Sequence, residues 1–301
     1  MLQQLGELLM NCKLQLPSLS IHFTDLCNLR CPWCCAQSVM SRRPARLWSN
    51  ATREHLFTHL RRTPYSHYII HGGEPTLFPD EVVRVLTFIR TECPPDVPVS
   101  VFTNGTLLTP ELIDCLNHFR ARVLLSINLE GPKGLESFFE HVSDPDNCIR
   151  MIRKLHALCI RCVALRGQSF ALEAVTMHNL FGGVRVETSP DVTTLNEWTE
   201  EDIRRVDKEL TLLRRLDPHY RDWHSLLLTP SYRCDCSRKN INYTTSGQFE
   251  LGPHKTSGRT YGCAFAVEQM GEGLYNQYIA VAQTAYDLLK GEDICPCSKS
   301  V

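Results

Sequence analysis

The chain has 301 residues, 43% of them hydrophobic, and a formal net charge of −1 at pH 7. That content can bury the core of one large domain, alone or with an appendage, and the near-neutral balance without a basic stripe argues against nucleic acid as a partner. The start MLQQLGELLMNCKLQ lacks the apolar length and basic n-region of a signal peptide and no run reaches a membrane span, so the fifteen cysteines are expected in a cytoplasmic protein, as metal ligands or catalysts and not disulfides.

In chain order, residues 19–23 read as a first strand, with Thr24 and Asp25 leading into a loop that carries Cys27, Cys31 and Cys34. Tyr68–His71 is a second apolar run, ending at Gly72 and Gly73. A helical pattern follows over residues 79–90, with Val82, Val83, Leu86 and Ile89 on one face. Val99–Thr103 is a strand closed by Asn104 and Gly105, and Thr109 with Pro110 supplies an N-cap and an N1 proline for the next helix. Residues 123–129 are expected as strand five, and Asp144 and Pro145 open a helix with Ile149, Ile152 and Leu155 at helical spacing. Residues 162–165 and 183–186 are further strand candidates, and the charge-rich Glu200–Leu216 reads as a surface helix bridging to the tail. Residues 243–251, centred on Ser246 and Gly247, read as a β-hairpin. Short strands alternating with amphipathic helices predict an α/β fold built from parallel βαβ units. There are no internal repeats and no low-complexity linker.

The run Cys27-Asn28-Leu29-Arg30-Cys31-Pro32-Trp33-Cys34 is the most specific chemical signal. Three thiolates this close can hold three irons of a [4Fe–4S] cube and leave the fourth open. A structural zinc site is the alternative, but it wants a fourth close ligand, and Cys35, adjacent in the chain, is badly placed to be one. The run resembles the signature of the radical S-adenosylmethionine (radical SAM) superfamily, C-x3-C-x2-C with an aromatic residue, here Trp33, before the last cysteine. The resemblance implies a partial (β/α)6 barrel over residues 1–190 and a cluster on Cys27, Cys31 and Cys34. It also implies reductive cleavage of SAM to a 5′-deoxyadenosyl radical, fed by an external flavodoxin- or ferredoxin-type one-electron reductant.

His71-Gly72-Gly73-Glu74-Pro75 resembles the family's GGE-P motif, which meets the amino group of the SAM methionine moiety. Glycines permit close backbone approach, and a carboxylate suits an ammonium; a glycine turn capped by an acid is the plain alternative. Thr103-Asn104-Gly105 resembles the family's T-N-G turn, which brings Asn104 near the cofactor, although such turns are common in α/β proteins. Ser126 and Asn128 stand where the family often has Ser-x-Asp for the ribose, and Asn128 departs from that pattern. Glu130 faces the rim where barrel chemistry collects, or is a solvated loop acid.

Downstream lie Cys234, Cys236, Cys263, Cys295 and Cys297. They resemble a cysteine-rich SPASM or twitch-like extension, expected over residues 231–301 after a helical bridge at 191–230. The resemblance implies one auxiliary [4Fe–4S] cluster, with Gly258 and Cys263 matching the G-x4-C portion. The gap from Cys236 to Gly258 is longer than usual, and the tail is C-x-C instead of a longer array. Four thiolates suffice for one cube, so if both C-x-C pairs ligate, Cys263 is spare and is the candidate hydrogen-atom donor; alternatively Cys263 ligates. Cys12, Cys93, Cys115, Cys148, Cys159 and Cys162 are expected as small buried apolar packing.

An additional N-terminal domain for a leader peptide is not expected, and a compact polar substrate is. In size and layout the chain is similar to radical SAM enzymes of antibiotic biosynthesis that epimerise one sugar carbon of an aminoglycoside. A polycationic aminoglycoside needs carboxylates in the pocket, for which Glu130, Glu187 and Asp191 are candidates. Dehydrogenation of a polyol or aminocyclitol, with the auxiliary cluster accepting an electron, and modification of a ribosomal peptide are the other enzymatic readings. A non-catalytic iron–sulfur or zinc sensor is the non-enzyme alternative, against which the SAM-type motif argues.

Overall fold

The computed structural model describes residues 18–31, 34, 46–63, 65–126, 138–190, 199–216, 240–243 and 249–251. Six strands, β1 (Ser18–His22), β2 (Tyr68–His71), β3 (Val99–Thr103), β4 (Arg122–Ser126), β5 (Leu158–Ala164) and β6 (Arg185–Pro190), alternate with six helices. The helices are α1 (Asn50–Arg62), α2 (Pro79–Glu92), α3 (Pro110–His118), α4 (Pro145–Ile152), α5 (Ala171–Leu180) and α6 (Glu200–Leu216). Strands β1 to β6 lie side by side in chain order and pair in parallel, each joined to the next through a helix. This is the α/β architecture of a partial (β/α)6 barrel. Two further strands, β7 (Asn240–Tyr243) and β8 (Phe249–Leu251), extend the sheet beyond β1, with β7 parallel to β1 and β8 antiparallel to β7.

The hairpin expected at 243–251 is therefore present as β7 and β8, but it belongs to the barrel's own sheet. Val123, expected to open strand five, lies in the fourth strand, which ends at Ser126 among the described residues. The fifth and sixth strands are longer or later than the expected 162–165 and 183–186. Helices α1 and α5 carry no clear stripe and were not expected. In α1 the buried face includes Thr52 and His59. In α5 Leu172 is 70% exposed while Glu173 is buried, which inverts the usual pattern.

Helix starts follow capping chemistry. The side chains of Ser49, Thr109 and Asp144 accept from Thr52, Leu112 and Asn147 amides, and Pro110 and Pro145 occupy the first turn. Thr199 and Asp202 form a reciprocal box at the start of α6. The Thr199 amide and hydroxyl, then Arg166, hold the Asp202 carboxyl down to about 2. Helix α5 has no cap from its own residue; Glu209 of α6 accepts from the Phe170 and Ala171 amides at 2.6 and 2.8 Å instead. The expected surface helix thus has a working inner side, where Val206 and Leu213 are also buried.

The sheet has two unlike faces. Leu19, Ile21, Tyr68, Ile70, Val101 and Val123 pack outward against Leu56, Leu86, Ile89 and Leu112 of the first three helices. Val85 is buried in α2, while Val83 only packs partly against that core. Leu125, Ile160 and Cys162 meet Met177 of α5 and Val206 of α6. The alternate positions (Ser20, His22, His71, Ser100, Phe102, Ser126 and Arg161) fall on the opposite, inner face. No described helix is long and apolar enough to cross a membrane.

Candidate metal and cofactor site

The cysteine loop begins where β1 ends, and contacts from three segments fix its stem. Thr24, fully buried, bridges to Leu47, and the Asp25 amide donates to the Arg46 carbonyl at 2.8 Å. The Leu26 amide donates to Thr24 Oγ1 at 3.1 Å. From the end of β2, the Gly73 and Glu74 amides donate to the Thr24 and Leu26 carbonyls at 2.8 and 2.7 Å. A Cβ at Gly72 would fall on the Thr24 carbonyl oxygen, and one at Gly73 on that of Leu26. The close approach that these glycines permit is thus to the stem of the cysteine loop.

Cys27, Cys31 and Cys34 are half-buried and form no disulfide. The Cys34 amide closes a turn on the Cys31 carbonyl at 3.1 Å, and the Leu29 amide points at Cys27 Sγ at 3.4 Å. Arg30 folds back onto the Cys27 and Leu29 carbonyls at 2.7 and 2.9 Å. Burial pushes the Cys27 thiol up, the Leu29 amide pulls it down, and the nearby Glu74 and Cys34 charges raise it further. Ligation needs the thiolate, so metal binding here must displace a proton.

Glu74 is turned inward and only 1% exposed. Its Oε1 accepts from the Thr76 amide (2.9 Å), the Thr76 hydroxyl (2.6 Å) and the Thr103 hydroxyl (2.7 Å), and its Oε2 from the Asn104 amide (2.7 Å). Burial pushes its carboxyl up, while these donors pull it back. The carboxylate expected to meet an ammonium here ties the ends of β2 and β3 together. Asn104, expected at the cofactor, points its amide into the cysteine loop, donating to Asn28 Oδ1 at 2.9 Å. Gly105 sits at φ 77°, and a Cβ there would fall on the Leu125 side chain, so the turn needs glycine.

The inner face above these ties carries side chains that the sequence reading did not single out. His22 and His71 are paired across β1 and β2, with ring centroids 3.6 Å apart. Phe102 lies 6.0 Å from His71, and the Arg161 guanidinium stands 5.1 Å over the Phe102 ring. Ser126, the proposed ribose contact, is exposed and pairs in register with Arg161. On β6 Glu187 follows in register with Arg161. Part of the signal was available in the sequence: His22 and His71 end β1 and β2 at their last inward positions, and Arg161 interrupts the apolar run of β5.

Asn128, Glu130, Asp191, Cys234, Cys236, Cys263, Cys295 and Cys297 lie outside the described residues. Of the cysteines expected as packing, Cys93, Cys148, Cys159 and Cys162 are buried and Cys115 is half-buried, while Cys12 is outside the description. Burial pushes the Cys162 thiol far above the ordinary range.

The donor set suits an iron–sulfur cluster. Cys27, Cys31 and Cys34 are the candidate ligands in a run that holds no Asp, Glu or His, and thiolates are the usual ligands of such clusters. Among the described residues, no three His, Cys, Asp or Glu side chains converge on a single-ion site.

Comparison with known proteins bears on the same segment. The model of the Radical SAM superfamily matches residues 21–170. The chain is 30% identical over 128 residues to the 7-carboxy-7-deazaguanine synthase of Aquifex aeolicus, covering 42% of this chain and 50% of that protein. It is 22% identical over 129 residues to the radical SAM cyclopropyl synthase TigE of Paramaledivibacter caminithermalis, covering 38% of this chain and 27% of that one. The chain thus spans half or less of these relatives' lengths. In fold it is similar to native anSMEcpe with bound AdoMet, with a TM-score of 0.57 at 18% identity, over 77% of this chain and 73% of that one. The cysteine loop at the end of β1, the glycine loop docked on its stem and the parallel strand order agree with that match: residues 21–170 form a domain of the radical SAM superfamily, whose cofactors are a [4Fe–4S] cluster and SAM.

Proposed function

We propose that the chain is a radical SAM enzyme acting on a carbon of a small polar substrate, with Cys27, Cys31 and Cys34 as cluster ligands. One observation carries this reading: the three-cysteine loop leaves the end of β1 and is docked at its stem by the Gly73 and Glu74 amides of the next βα loop. When bound, the cluster supplies the electron that cleaves SAM to methionine and a 5′-deoxyadenosyl radical. The chain's own residues do the rest. The loop stem holds the thiols at one rim of the sheet, and Gly72 and Gly73 keep the two loops in contact. Ser126 and Asn128 are assigned to the ribose. His22, His71, Phe102 and Arg161 line the inner face beside the loop, where a substrate must lie to be attacked.

The finer reading is epimerisation of one sugar carbon of an aminoglycoside-type substrate. Its support is numerical: Cys234, Cys236, Cys263, Cys295 and Cys297 are five thiols where one auxiliary cube needs four. Cys263 then gives its hydrogen atom to the substrate radical from the opposite face. The S–H bond breaks, the inverted C–H bond forms, and one electron from the external reductant with one proton from solvent restores the thiol.

The test is anaerobic reconstitution with iron and sulfide, followed by reduction with SAM present. Formation of 5′-deoxyadenosine is expected, and a colourless zinc protein that forms none would overturn the radical reading. In deuterated water an epimerase puts deuterium at the inverted carbon, and Cys263→Ala stalls with the auxiliary iron retained. Loss of that iron would make Cys263 a ligand. A product oxidised by two electrons, without deuterium, would make the reaction a dehydrogenation.

A further inference from the structure

We propose that Asn28 and Asn104 form a clasp that sets how firmly the cysteine loop retains its cluster. The proposal rests on the reading that Cys27, Cys31 and Cys34 carry that cluster. Asn28 lies between the first two cysteines, and its side chain is engaged at both ends. Its Nδ2 donates to Thr106 Oγ1 at 2.9 Å, and its Oδ1 accepts from Asn104 Nδ2 at 2.9 Å. These bonds cross 78 and 76 residues of sequence, from the first βα loop to the third.

Asn104 is itself pinned from several sides. Its Oδ1 accepts from the Thr106 amide at 3.0 Å and the Thr106 hydroxyl at 2.8 Å, and its backbone amide donates to the buried Glu74 at 2.7 Å. A continuous path therefore runs from a buried carboxylate, through a turn fixed by Gly105, to the middle of the ligand loop. The stem contacts at Thr24 and Leu26 fix where the loop begins, but they do not reach past Cys27. The Asn28 side chain holds the segment between Cys27 and Cys31, whose spacing must match the cube. Partners outside the ligand shell routinely tune how a metal group is held. Asn28 and Asn104 are positioning residues in this sense, since neither is itself a cluster ligand.

The experiment follows iron release from the reconstituted protein to a chelator under anaerobic conditions. Asn28→Ala and Asn104→Ala are each expected to speed release about three- to tenfold, the range of one net hydrogen bond. The double variant is expected to release no faster than the faster single variant, because both substitutions break one shared contact. Asn28→Asp keeps an acceptor for the Asn104 amide and should recover most of the retention. Asn117→Ala serves as a control: it cuts another two-ended asparagine tie, to Lys154 and His156, away from the loop. It is expected to leave release unchanged. Release at the wild-type rate in both single variants, or multiplying effects in the double, would overturn the clasp. A wild-type protein that takes up no iron would overturn the cluster reading beneath it, an outcome distinct from either.

Discussion

The Thr103 hydroxyl donates to the buried Glu74 carboxylate at 2.7 Å, although the two residues belong to the ends of different strands. Because Thr76 and the Asn104 amide also donate to it, this carboxylate decides where two rim loops stand relative to each other. Glu74→Ala would leave buried hydroxyl and amide donors unanswered and should cost about 2–4 kcal/mol. Glu74→Gln keeps the shape but turns an amide donor toward other donors, for an expected loss of about 1–2 kcal/mol. Urea unfolding of the iron-free chain reads both. Both should also lower 5′-deoxyadenosine formation, because Asn104 moves with the tie.

Gly73→Ala tests the docking of the glycine loop on the cysteine loop. The new Cβ meets a backbone carbonyl, that of Leu26, which cannot rotate away as a side chain could. The cost should be that of an overpacked site, about 1–3 kcal/mol. The sharper expectation is reduced iron uptake on reconstitution, since Leu26 immediately precedes Cys27, the first proposed ligand.

Acid should destabilise the protein through His59. This imidazole is buried and shares a 2.8 Å hydrogen bond with the Tyr65 hydroxyl. Burial first, then the His55 and Arg62 charges, hold it down to about 3 from the ordinary 6.5. The unfolded chain therefore takes up a proton at a pH where the folded chain does not, and protonation favours unfolding. Stability should decline as pH falls from 6.5 toward about 3 and level off below that. In His59→Gln the melting temperature should fall less over the same range.

Glu209→Ala should uncap a helix to which it does not belong. The Phe170 and Ala171 amides at the start of α5 lose their acceptor, for about 1–2 kcal/mol. Hydrogen exchange should report faster opening of α5 than of α2, whose contacts are untouched.

Much of this arrangement was legible in the sequence because turns and caps are local. Thr109 and Pro110, Asp144 and Pro145, and the bounds of β2, β3 and α6 all follow from short-range rules. The elements that were missed depend on distant partners. Helix α5 starts on a carboxylate supplied by α6, and its exposed Leu172 and buried Glu173 contradict its own pattern. At the site, spacing singled out Cys27, Cys31, Cys34 and the glycine loop as candidates, but residue type alone did not give the direction of the Glu74 side chain. An acid after two glycines can face a ligand or the interior, and the threonines at 76 and 103 draw it inward. His22 and Arg161 went unnoticed because polar residues within parallel strands carry meaning only once the register puts them side by side.

The pairing of β7 with β1 makes the strand that leads into the cysteine loop an interior one, bonded along both edges by β2 and β7. Interior strands are among the last parts of a sheet to open. Emptying the loop of its metal should therefore leave the strand beneath it closed, so that oxidative loss of the cluster leaves a folded chain ready to be refilled. Repair of this protein would then be a matter of iron and sulfide supply, with no refolding step.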